Sequence, residues 1–559
     1  MVKDEIEALI RSAVSSAQHA GELPPVAVPD TLVERPQKPD YGDYATSVPL
    51  RLARAAGMTP LELAHLIVKH MDGARAAGAV EDVTVAPPGF INFRLSAAWL
   101  AAQVNAILQE GDAFGNVPLG AGRQVQVEFV SANPVGPIHV GNGRGLALGD
   151  TLARVLSAAG YEVQREYLVN DAGTQTETFA ATLYARYQQL FGRHVEIPEG
   201  GYPGEYMIGL AQQLRDEFGD SLLRPEGEPY PPEVHEVGVQ RMLEVIKRDL
   251  EAIGVRYDNW FSERSLYSGD LYQKAMALLR ERGYVAEREG AVWFASSALG
   301  EEKDNVLVRS TGAPTYFASD VAYHYDKFLL RGFDRVINVW GADHQGHVPR
   351  MKAAVAALGI DPERLSIIIY QLVTLKRGSE VVKLSKRAGE IVTLREVLEE
   401  VGADAARFNF VGRAADSHMD FDLELAKRQS AENPVYYVQY AHARIAGILL
   451  QAAERFPVLP GKDSGGDVSL LREEPELALI RKMLRLPELV EQIALTLEPH
   501  QLPYYAVELA TAFHDFYEKC RVLTDDEALS RARLKLVSAA KVVLARSLDL
   551  MGMSAPERM

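Results

Sequence analysis

The sequence is poor in cysteine and has no long hydrophobic run. Among its 559 residues there is one cysteine, Cys520, which excludes an intramolecular disulfide framework and a zinc site made of cysteines. No apolar stretch approaches the roughly 18 residues that a membrane-spanning helix needs, and the first residues form an acidic amphipathic start rather than a secretory signal. We therefore expect a cytoplasmic protein without a membrane segment.

Positive charge is also scarce. Lysine and arginine number 59 against 76 aspartate and glutamate residues, so the net charge is −17. A negative field repels phosphates, which argues against a protein that coats nucleic acid non-specifically, although a local basic face remains possible. At roughly 150 residues per domain the length predicts about three to four domains.

A strand, a glycine-rich loop, a helix and a second strand follow one another from residue 124. The apolar residues Val125, Val127 and Phe129 alternate with polar ones, which predicts a strand. A loop rich in proline and glycine covers residues 131–143, and the second strand is predicted at Glu162–Val169. This order is typical of a βαβ unit in a parallel sheet.

The loop at 131–143 has the composition of a phosphate-binding site. Its glycines let a ligand approach the backbone, and it leads into a helix N-terminus, where unpaired N–H groups favour phosphate. His139 and Asn142 lie three residues apart at that entry, so both side chains could donate hydrogen bonds to phosphate oxygens. A glycine-rich turn with an incidental histidine is about equally consistent with the loop alone.

A second segment, Lys383-Leu384-Ser385-Lys386-Arg387, places three cations and a hydroxyl on a short stretch before Gly389. Such a group would suit a clamp that stabilises the charge of a leaving pyrophosphate. Taken alone, a basic pentapeptide is more typical of a solvated surface.

The remaining patterns outline three parts of the chain. We predict an α+β domain at 1–112, with a helical run from Ser47 to Leu66 and a strand at Phe90–Leu95. A sheet domain follows at 113–421, with an insertion near 177–300, and a helical domain at 422–559. Within these, further patterns predict a hairpin at Val285–Phe294, strands at Arg335–Trp340 and Leu365–Leu375, and a helix at Val348–Leu358.

The two motifs together resemble the paired signatures of class I aminoacyl-tRNA synthetases. They are Ile138-His139-Val140-Gly141-Asn142 and Lys383-Leu384-Ser385-Lys386-Arg387. The longer string from Val127 to Gly141, together with Tyr167-Leu168-Val169-Asn170-Asp171-Ala172-Gly173, is similar to the arginyl branch of that family. The resemblance extends over nearly the whole chain, from Gly42-Asp43-Tyr44-Ala45 to Asn433–Ile445.

The resemblance implies a fold and an activity. The fold is α/β: a Rossmann-like parallel-sheet catalytic domain with an inserted subdomain, a small N-terminal α+β domain that contacts tRNA, and an all-α C-terminal domain that binds the anticodon. The activity is ATP-dependent conversion of L-arginine to arginyl-adenylate and transfer to the 3′-terminal adenosine of tRNA(Arg), by a chain expected to act as a monomer. Mg²⁺ would arrive with ATP, since the sequence shows no dedicated metal cage.

The resemblance also assigns the residues that handle ATP. The catalytic candidates are His139, Lys383 and Lys386, and ATP would be bound by His139, Gly141, Asn142, Lys383, Ser385 and Lys386. Three positions depart from the usual signatures: Asn142 replaces a second histidine, Leu384 replaces methionine and Arg387 replaces serine. Asparagine can donate a hydrogen bond but cannot carry charge, so Asn142 alters the expected phosphate contact.

For the amino acid the resemblance points to one further set: Glu128, Ser131, Ala132, Asn133, Asn142, Tyr316, Asp320 and His344. A guanidinium group favours a carboxylate and an aromatic face. Asp320 and Tyr316 are four residues apart, which would place them on one side of a helix. Without the resemblance, Asp320 would be interpreted as an ordinary acidic residue at a helix start.

Asp343, His344 and His347 weakly suggest a metal site, and we favour loop packing and substrate contact instead.

In the helical C-terminal part, Tyr436, Tyr440 and Arg444 recur every four residues. Such a face could stack on unpaired bases and bind tRNA; a half-buried packing stripe is the alternative.

Two other functions remain possible for the whole chain. A nucleotidylyltransferase would have no use for the terminal domains, and a catalytically inactive RNA-binding relative is favoured only by Asn142.

Overall fold

The computed structural model describes residues 1–29, 33–36, 38–71, 78–382, 392–456 and 465–559. The chain divides into two compact units. Unit 1 comprises residues 1–111, 445–484 and 511–543, and unit 2 comprises residues 112–444, 485–510 and 544–559.

The N-terminal part of unit 1 combines helices with a small antiparallel sheet. Its elements are α1 (Val2–His19), β1 (Tyr44–Thr46), α2 (Val48–Ala56), α3 (Pro60–Lys69), β2 (Val80–Ala86), β3 (Phe90–Leu95) and α4 (Ala97–Glu110). Strand β3 lies between β1 and β2 and is antiparallel to both. The predicted strand at Phe90–Leu95 and the α+β character are therefore confirmed.

The single helical run predicted from Ser47 to Leu66 is wrong. Gly57 adopts a φ of 66° and ends α2. The hydroxyl of Thr59 then accepts a hydrogen bond from the Glu62 N–H, and Pro60 begins α3. A left-handed glycine followed by a threonine cap separates two helices whose apolar faces look continuous in the sequence.

Unit 2 is built on a parallel sheet. Its elements up to residue 427 are β4 (Gln124–Phe129), α5 (Val140–Ala158), β5 (Glu162–Val169), α6 (Thr174–Gln189), α7 (Glu205–Phe218), α8 (Pro232–Ala252), β6 (Asn259–Ser262), α9 (Ser265–Ser268), α10 (Leu271–Glu281), β7 (Val285–Arg288), β8 (Ala291–Phe294), β9 (Asn305–Val308), α11 (Tyr316–Tyr325), β10 (Arg335–Gly341), α12 (Val348–Ala357), β11 (Leu365–Tyr370), β12 (Val373–Arg377), β13 (Glu380–Val381), α13 (Leu394–Val401), α14 (Ala403–Val411), β14 (Met419–Asp422) and α15 (Leu423–Lys427). The described strands of the main sheet run parallel in the order β11-β10-β4-β5-β6.

Most of the predicted elements of unit 2 are confirmed, including the βαβ unit and the hairpin β7–β8. The strand predicted at Leu365–Leu375 is wrong as one element. Its first part is β11 of the main sheet, whereas β12 pairs with β13 and β14 in a separate sheet. Between them the N–H of Gln371 donates to the carbonyl of Ala415, and Leu372 is 68% exposed. Strand β6 lies within the stretch predicted as an insertion and pairs with β5.

The rest of the chain is helical, as predicted from residue 422 onward. The helices are α16 (Pro434–Arg455), α17 (Glu474–Met483), α18 (Arg485–Thr496), α19 (Gln501–Lys519) and α20 (Glu527–Leu550). None of the helices in the described part of the chain is long and apolar enough to cross a membrane.

The strand order determines where a ligand would bind. From β4 the chain proceeds to β5 and β6 on one side of the sheet, and it returns to β10 and β11 on the other side. The carboxyl ends of β4 and β10 therefore border the point at which the strand order reverses, which is where open α/β sheets bind ligands.

Candidate active site

The chain leaves β4 through a strained turn. Val130 and Ser131 have φ values of 69° and 43°, a left-handed conformation that costs of order 1–3 kcal/mol for such residues. Neighbouring side chains hold this turn. The amide of Asn170 donates to the carbonyl of Ser131 at 3.1 Å, and the hydroxyl of Tyr167 donates to the carbonyl of Ala132 at 2.8 Å. The sheet thus fixes the backbone that borders the ligand site.

A cavity of about 370 Å³ opens beside this turn, at the carboxyl ends of β4 and β10. We call it the first cavity. The residues predicted for the amino-acid pocket all line it: Glu128, Ser131, Ala132, Asn133, Asn142, Tyr316, Asp320 and His344. Segments that are far apart in sequence therefore meet at one place, which spacing along the chain could not show.

Asp320 lies on α11 with its carboxyl group in the wall of the first cavity. Among the described residues, none donates a hydrogen bond to this carboxylate or forms an ion pair with it. Burial, together with the nearby charges of Glu128 and Glu263, raises the pKa of Asp320 well above its usual value. A cationic ligand would supply the missing partner and favour the ionised form.

Glu128 has a partner of its own. Its Oε2 accepts a hydrogen bond from Nζ of the fully buried Lys327 at 2.6 Å, and its Oε1 accepts from the Ser131 hydroxyl at 3.1 Å. Lys327 lies in a π-helical turn, Asp326–Leu330, directly after α11. Glu128 and Asp320 therefore differ, since the carboxylate of Glu128 has a cationic partner in the protein and that of Asp320 has none among the described residues.

A buried histidine lies next to Asp320. Nδ1 of His324 donates to the carbonyl of Asp320 at 2.8 Å, so its Nε2 accepts from the amide of Asn338 at 2.9 Å. Burial and the charge of Lys327 lower the pKa of His324 to about 3. This imidazole is therefore neutral at physiological pH, and its two nitrogens connect the backbone carbonyl of Asp320 to the side-chain amide of Asn338.

A second cavity, of about 830 Å³, contains His139 and shares Ala132, Asn133 and Asn142 with the first. His139 is the N-cap of α5, and its Nδ1 accepts the N–H of Gly141 at 2.9 Å. This contact assigns the proton to Nε2, and burial lowers the pKa of His139. A neutral N–H donor and a helix N-terminus thus face one cavity, as the glycine-rich loop predicted.

Lys383, Ser385 and Lys386 lie outside the described residues. The residues on either side of that stretch, Val382 and Val392, both line the second cavity. The N–H of Val140 donates to the carbonyl of Val392 at 3.1 Å. The described residues that precede and follow residues 383–391 therefore border the cavity that contains His139.

Comparison with known proteins covers the chain from end to end. Three family models match: "Arginyl tRNA synthetase N terminal domain" at residues 4–95, "tRNA synthetases class I (R), catalytic domain" at residues 103–199 and 226–440, and "DALR anticodon binding domain" at residues 438–559. The arginine–tRNA ligase of Dehalococcoides mccartyi strain CBDB1 is 56% identical over 558 residues, which cover 100% of this chain and 99% of that protein. That of Heliobacterium modesticaldum is 51% identical over 561 residues, again covering 100% and 99%.

Solved structures agree. The arginyl-tRNA synthetase of Thermus thermophilus is 26% identical, covers 99% of this chain and 100% of its own, and superimposes with a TM-score of 0.74. The chain belongs to the arginyl-tRNA synthetase family. It is a class I aminoacyl-tRNA ligase with a Rossmann-like catalytic domain and an anticodon-binding domain, and the resemblance drawn from its two motifs is confirmed.

In this synthetase the segment after β10 forms a 3₁₀ turn, Ala342–His347. His344 packs its ring between those of Trp340, at 5.9 Å, and His347, at 5.5 Å. Within the ranges that the structure describes, no group of three or more histidine, cysteine or acidic side chains could hold a metal ion. The side chain of His344 thus lines the first cavity, and its ring is held in place by Trp340 and His347.

The synthetase residues predicted to bind tRNA lie on α16. The rings of Tyr436 and Tyr440 are stacked, with centroids 6.0 Å apart and planes inclined by 13°. Tyr440 is 38% exposed, and Arg444 follows one turn later on an exposed position. None of the three is among the described residues that line the first or second cavity.

Sequence reasoning missed Lys327, His324, Asn170 and Glu263. Lys327 had a detectable signal, because a lysine directly after the largely apolar helix α11 cannot easily reach solvent. The others carry no local pattern, since their positions depend on contacts between distant segments.

Proposed function

We propose that this chain activates L-arginine with ATP and transfers the arginyl group to the 3′-terminal adenosine of tRNA(Arg). The environment of the Asp320 carboxylate is the observation that supports arginine as the amino-acid substrate. This carboxylate lies in a cavity wall without an ion-pair partner among the described residues, and a guanidinium would provide one with two parallel hydrogen bonds. The ring of Tyr316, one helical turn earlier, would cover the planar face of that group.

In the first step the arginine carboxylate attacks the α-phosphate of ATP in line, and pyrophosphate leaves. Arginine would occupy the first cavity and the triphosphate the second. Asn133 and Asn142 line both cavities, so the reacting carboxylate would lie near them. The protein forms no covalent bond in this step, and catalysis consists of positioning and charge stabilisation.

The charge on the leaving pyrophosphate would be stabilised from two directions. The Nε2–H of His139 and the side-chain amide of Asn142 would bind from the α5 end. The N–H of Gly141 donates to Nδ1 of His139, so Gly141 would orient the imidazole rather than bind phosphate itself. Lys383, Ser385 and Lys386 would bind from the other side, and the second-cavity position of Val382 and Val392 supports this assignment. ATP would bring Mg²⁺ with it.

In the second step a ribose hydroxyl of the terminal adenosine attacks the carbonyl carbon of arginyl-adenylate, and AMP leaves. A third cavity, of about 570 Å³, shares Asn133, Asn170 and Tyr316 with the first. His139 lines the second cavity and is not among the described residues that line the third. We assign the third cavity to the incoming tRNA end.

The remaining parts would hold the tRNA. We assign residues 1–112 and 422–559 to tRNA contact and anticodon binding, with Tyr436, Tyr440 and Arg444 stacking on or contacting unpaired bases. The three family matches support this division. We propose that the chain acts as a monomer, as the resemblance implies. The enzyme would be located in the cytoplasm, where translation consumes aminoacylated tRNA.

Amino-acid-dependent exchange of pyrophosphate into ATP tests the proposal. With purified protein we expect exchange with arginine and with no other standard amino acid, and the resemblance predicts that it requires tRNA. Exchange with lysine or glutamate would overturn the choice of substrate. Exchange with none of them, with retained tRNA binding, would support the inactive relative instead, and transfer of AMP to a small metabolite would support the nucleotidylyltransferase.

A further inference from the structure

A lysine is buried beneath the proposed arginine site. The side chain of Lys327 is 0% exposed, and its Nζ lies 2.6 Å from Oε2 of Glu128, 3.3 Å from Oδ1 of Asn338 and 4.0 Å from the centroid of the Tyr323 ring. An ammonium group removed from water is costly unless it is paired and hydrogen-bonded. Here a carboxylate, an amide oxygen and an aromatic face meet that requirement.

The backbone is adapted to this placement. Lys327 lies in the π-helical turn Asp326–Leu330, which continues α11 beyond Tyr325. Leu329 and Leu330, in the same turn, are 43% and 49% exposed. A π turn rotates the residues that follow it and is frequent at functional sites. The turn thus leaves two leucines partly exposed while a lysine is directed inward, which is the reverse of the usual preference.

The pair lies at the site of substrate recognition. Glu128 and Asp320 line the same cavity, and two carboxylates near each other resist joint ionisation. The charged groups that act on Asp320 come from each element packed around it: Glu128 on β4, Glu263 after β6, Lys327 after α11 and Arg350 on α12. Lys327 is the cation that directly neutralises one of these acids, Glu128.

We propose that Lys327 is a positioning residue for arginine: its ion pair with Glu128 fixes that carboxylate in the cavity wall and leaves Asp320 to bind the guanidinium. The inference rests on the proposed function.

A purely structural ion pair would behave differently. Loss of a structural pair lowers thermal stability and affects the binding of all substrates through the fold. Loss of a positioning residue affects the arginine KM through Glu128, so it has no further effect once Glu128 is replaced. Glu128 lines the first cavity and is not among the described residues that line the second, so the KM for ATP serves as an internal control.

The test compares wild type, Lys327→Met, Lys327→Arg, Glu128→Gln and the Glu128→Gln/Lys327→Met double variant in pyrophosphate exchange. For Lys327→Met we expect a KM for arginine raised about tenfold or more and a KM for ATP changed less than about twofold. Lys327→Arg, which keeps the charge, should recover part of the loss.

The double variant decides whether Lys327 acts through Glu128. We expect its arginine KM to match that of Glu128→Gln within about twofold, since the lysine has no carboxylate left to position. It also removes both charges together, so it remains informative if Lys327→Met fails to fold. An arginine KM that equals the product of the two single effects would overturn the proposal, as would an unchanged arginine KM in a folded Lys327→Met.

Failure of the proposed function gives a distinct result. If wild type catalyses no arginine-dependent exchange, the proposed function itself fails. If wild type is active with arginine while Lys327→Met behaves like wild type, only the role of Lys327 is refuted.

Discussion

His139 and Thr393 lie opposite each other in an isolated antiparallel bridge. In this bridge the Leu394 N–H donates to the carbonyl of Ile138 at 2.8 Å. The histidine loop is thereby joined to the described chain that resumes at Val392, after residues 383–391. Val382, Val392 and Thr393 line the cavity that contains His139, and this relationship supports the joint assignment of the two motifs to ATP.

The first prediction concerns Lys386. Lys386→Ala should slow adenylate formation about 10²–10³-fold, the effect of removing one donor that stabilises developing negative charge. Thermal stability should change little. Single-turnover formation of arginyl-adenylate provides the measurement, and Lys303→Ala, at an exposed position, is the matched control. An unchanged single-turnover rate in Lys386→Ala would refute its role.

The second prediction concerns Asp320. Asp320→Asn keeps the shape of the side chain and removes its charge, so the KM for arginine should rise about 10²–10³-fold, in line with the loss of one partner of a buried charge pair. The KM for ATP should stay within about twofold. Asp343→Asn is the control, because Asp343 lines the same cavity but its side chain is 80% exposed. Equal effects of the two variants would mean that Asp320 is not the guanidinium ligand.

The third prediction separates the two nitrogens of His139. Because Nδ1 accepts the Gly141 N–H, Asn at this position can replace the helix cap but cannot reach the phosphate as Nε2 does. Gln extends its amide further, so His139→Gln should retain more adenylate-forming activity than His139→Asn, while His139→Asn should melt at the higher temperature. Burial lowers the pKa of His139 below its usual value near 6.5, so the imidazole stays neutral and its contribution should be constant from roughly pH 7 upward. Stopped-flow adenylate formation and thermal melts measure both properties.

Local patterns predicted much of this site, and contacts between distant segments account for what they missed. The βαβ unit around His139 follows from alternation, glycine and helix-start signals within about forty residues. The helical spacing of Tyr316 and Asp320 likewise is a local property. By contrast, Glu128 and Lys327 are 199 residues apart, and neither residue type in its own segment identifies the other. The division of Leu365–Leu375 between two sheets also depends on a contact with Ala415, which its hydrophobic pattern cannot reveal.

The fourth prediction tests how closely α5 packs on the sheet. A Cβ added at Gly149 would lie 2.3 Å from Cγ of Phe129 on β4, so Gly149→Ala should destabilise unit 2 by about 1–3 kcal/mol through overpacking. Gly209 is the control, because it lies inside α7 and nothing lies within 4 Å of its added Cβ. Gly209→Ala should therefore stabilise by about 0.5–1 kcal/mol. Thermal melts of the two variants should shift in opposite directions, and a shared direction would contradict this packing.

The fifth prediction concerns tRNA binding by α16. Tyr440→Ala should raise the KM for tRNA about tenfold, since stacking of a base on an aromatic ring contributes about 1–3 kcal/mol. Tyr440→Phe keeps the ring and should stay near wild type, which distinguishes stacking from loss of the hydroxyl. At saturating tRNA the KM for arginine should be unchanged, because Tyr440 is not among the described residues of the first cavity. If Tyr440→Ala instead lowers the melting temperature and leaves the KM for tRNA unaltered, the Tyr436–Tyr440 face serves helix packing, and the bases of the tRNA must be bound elsewhere.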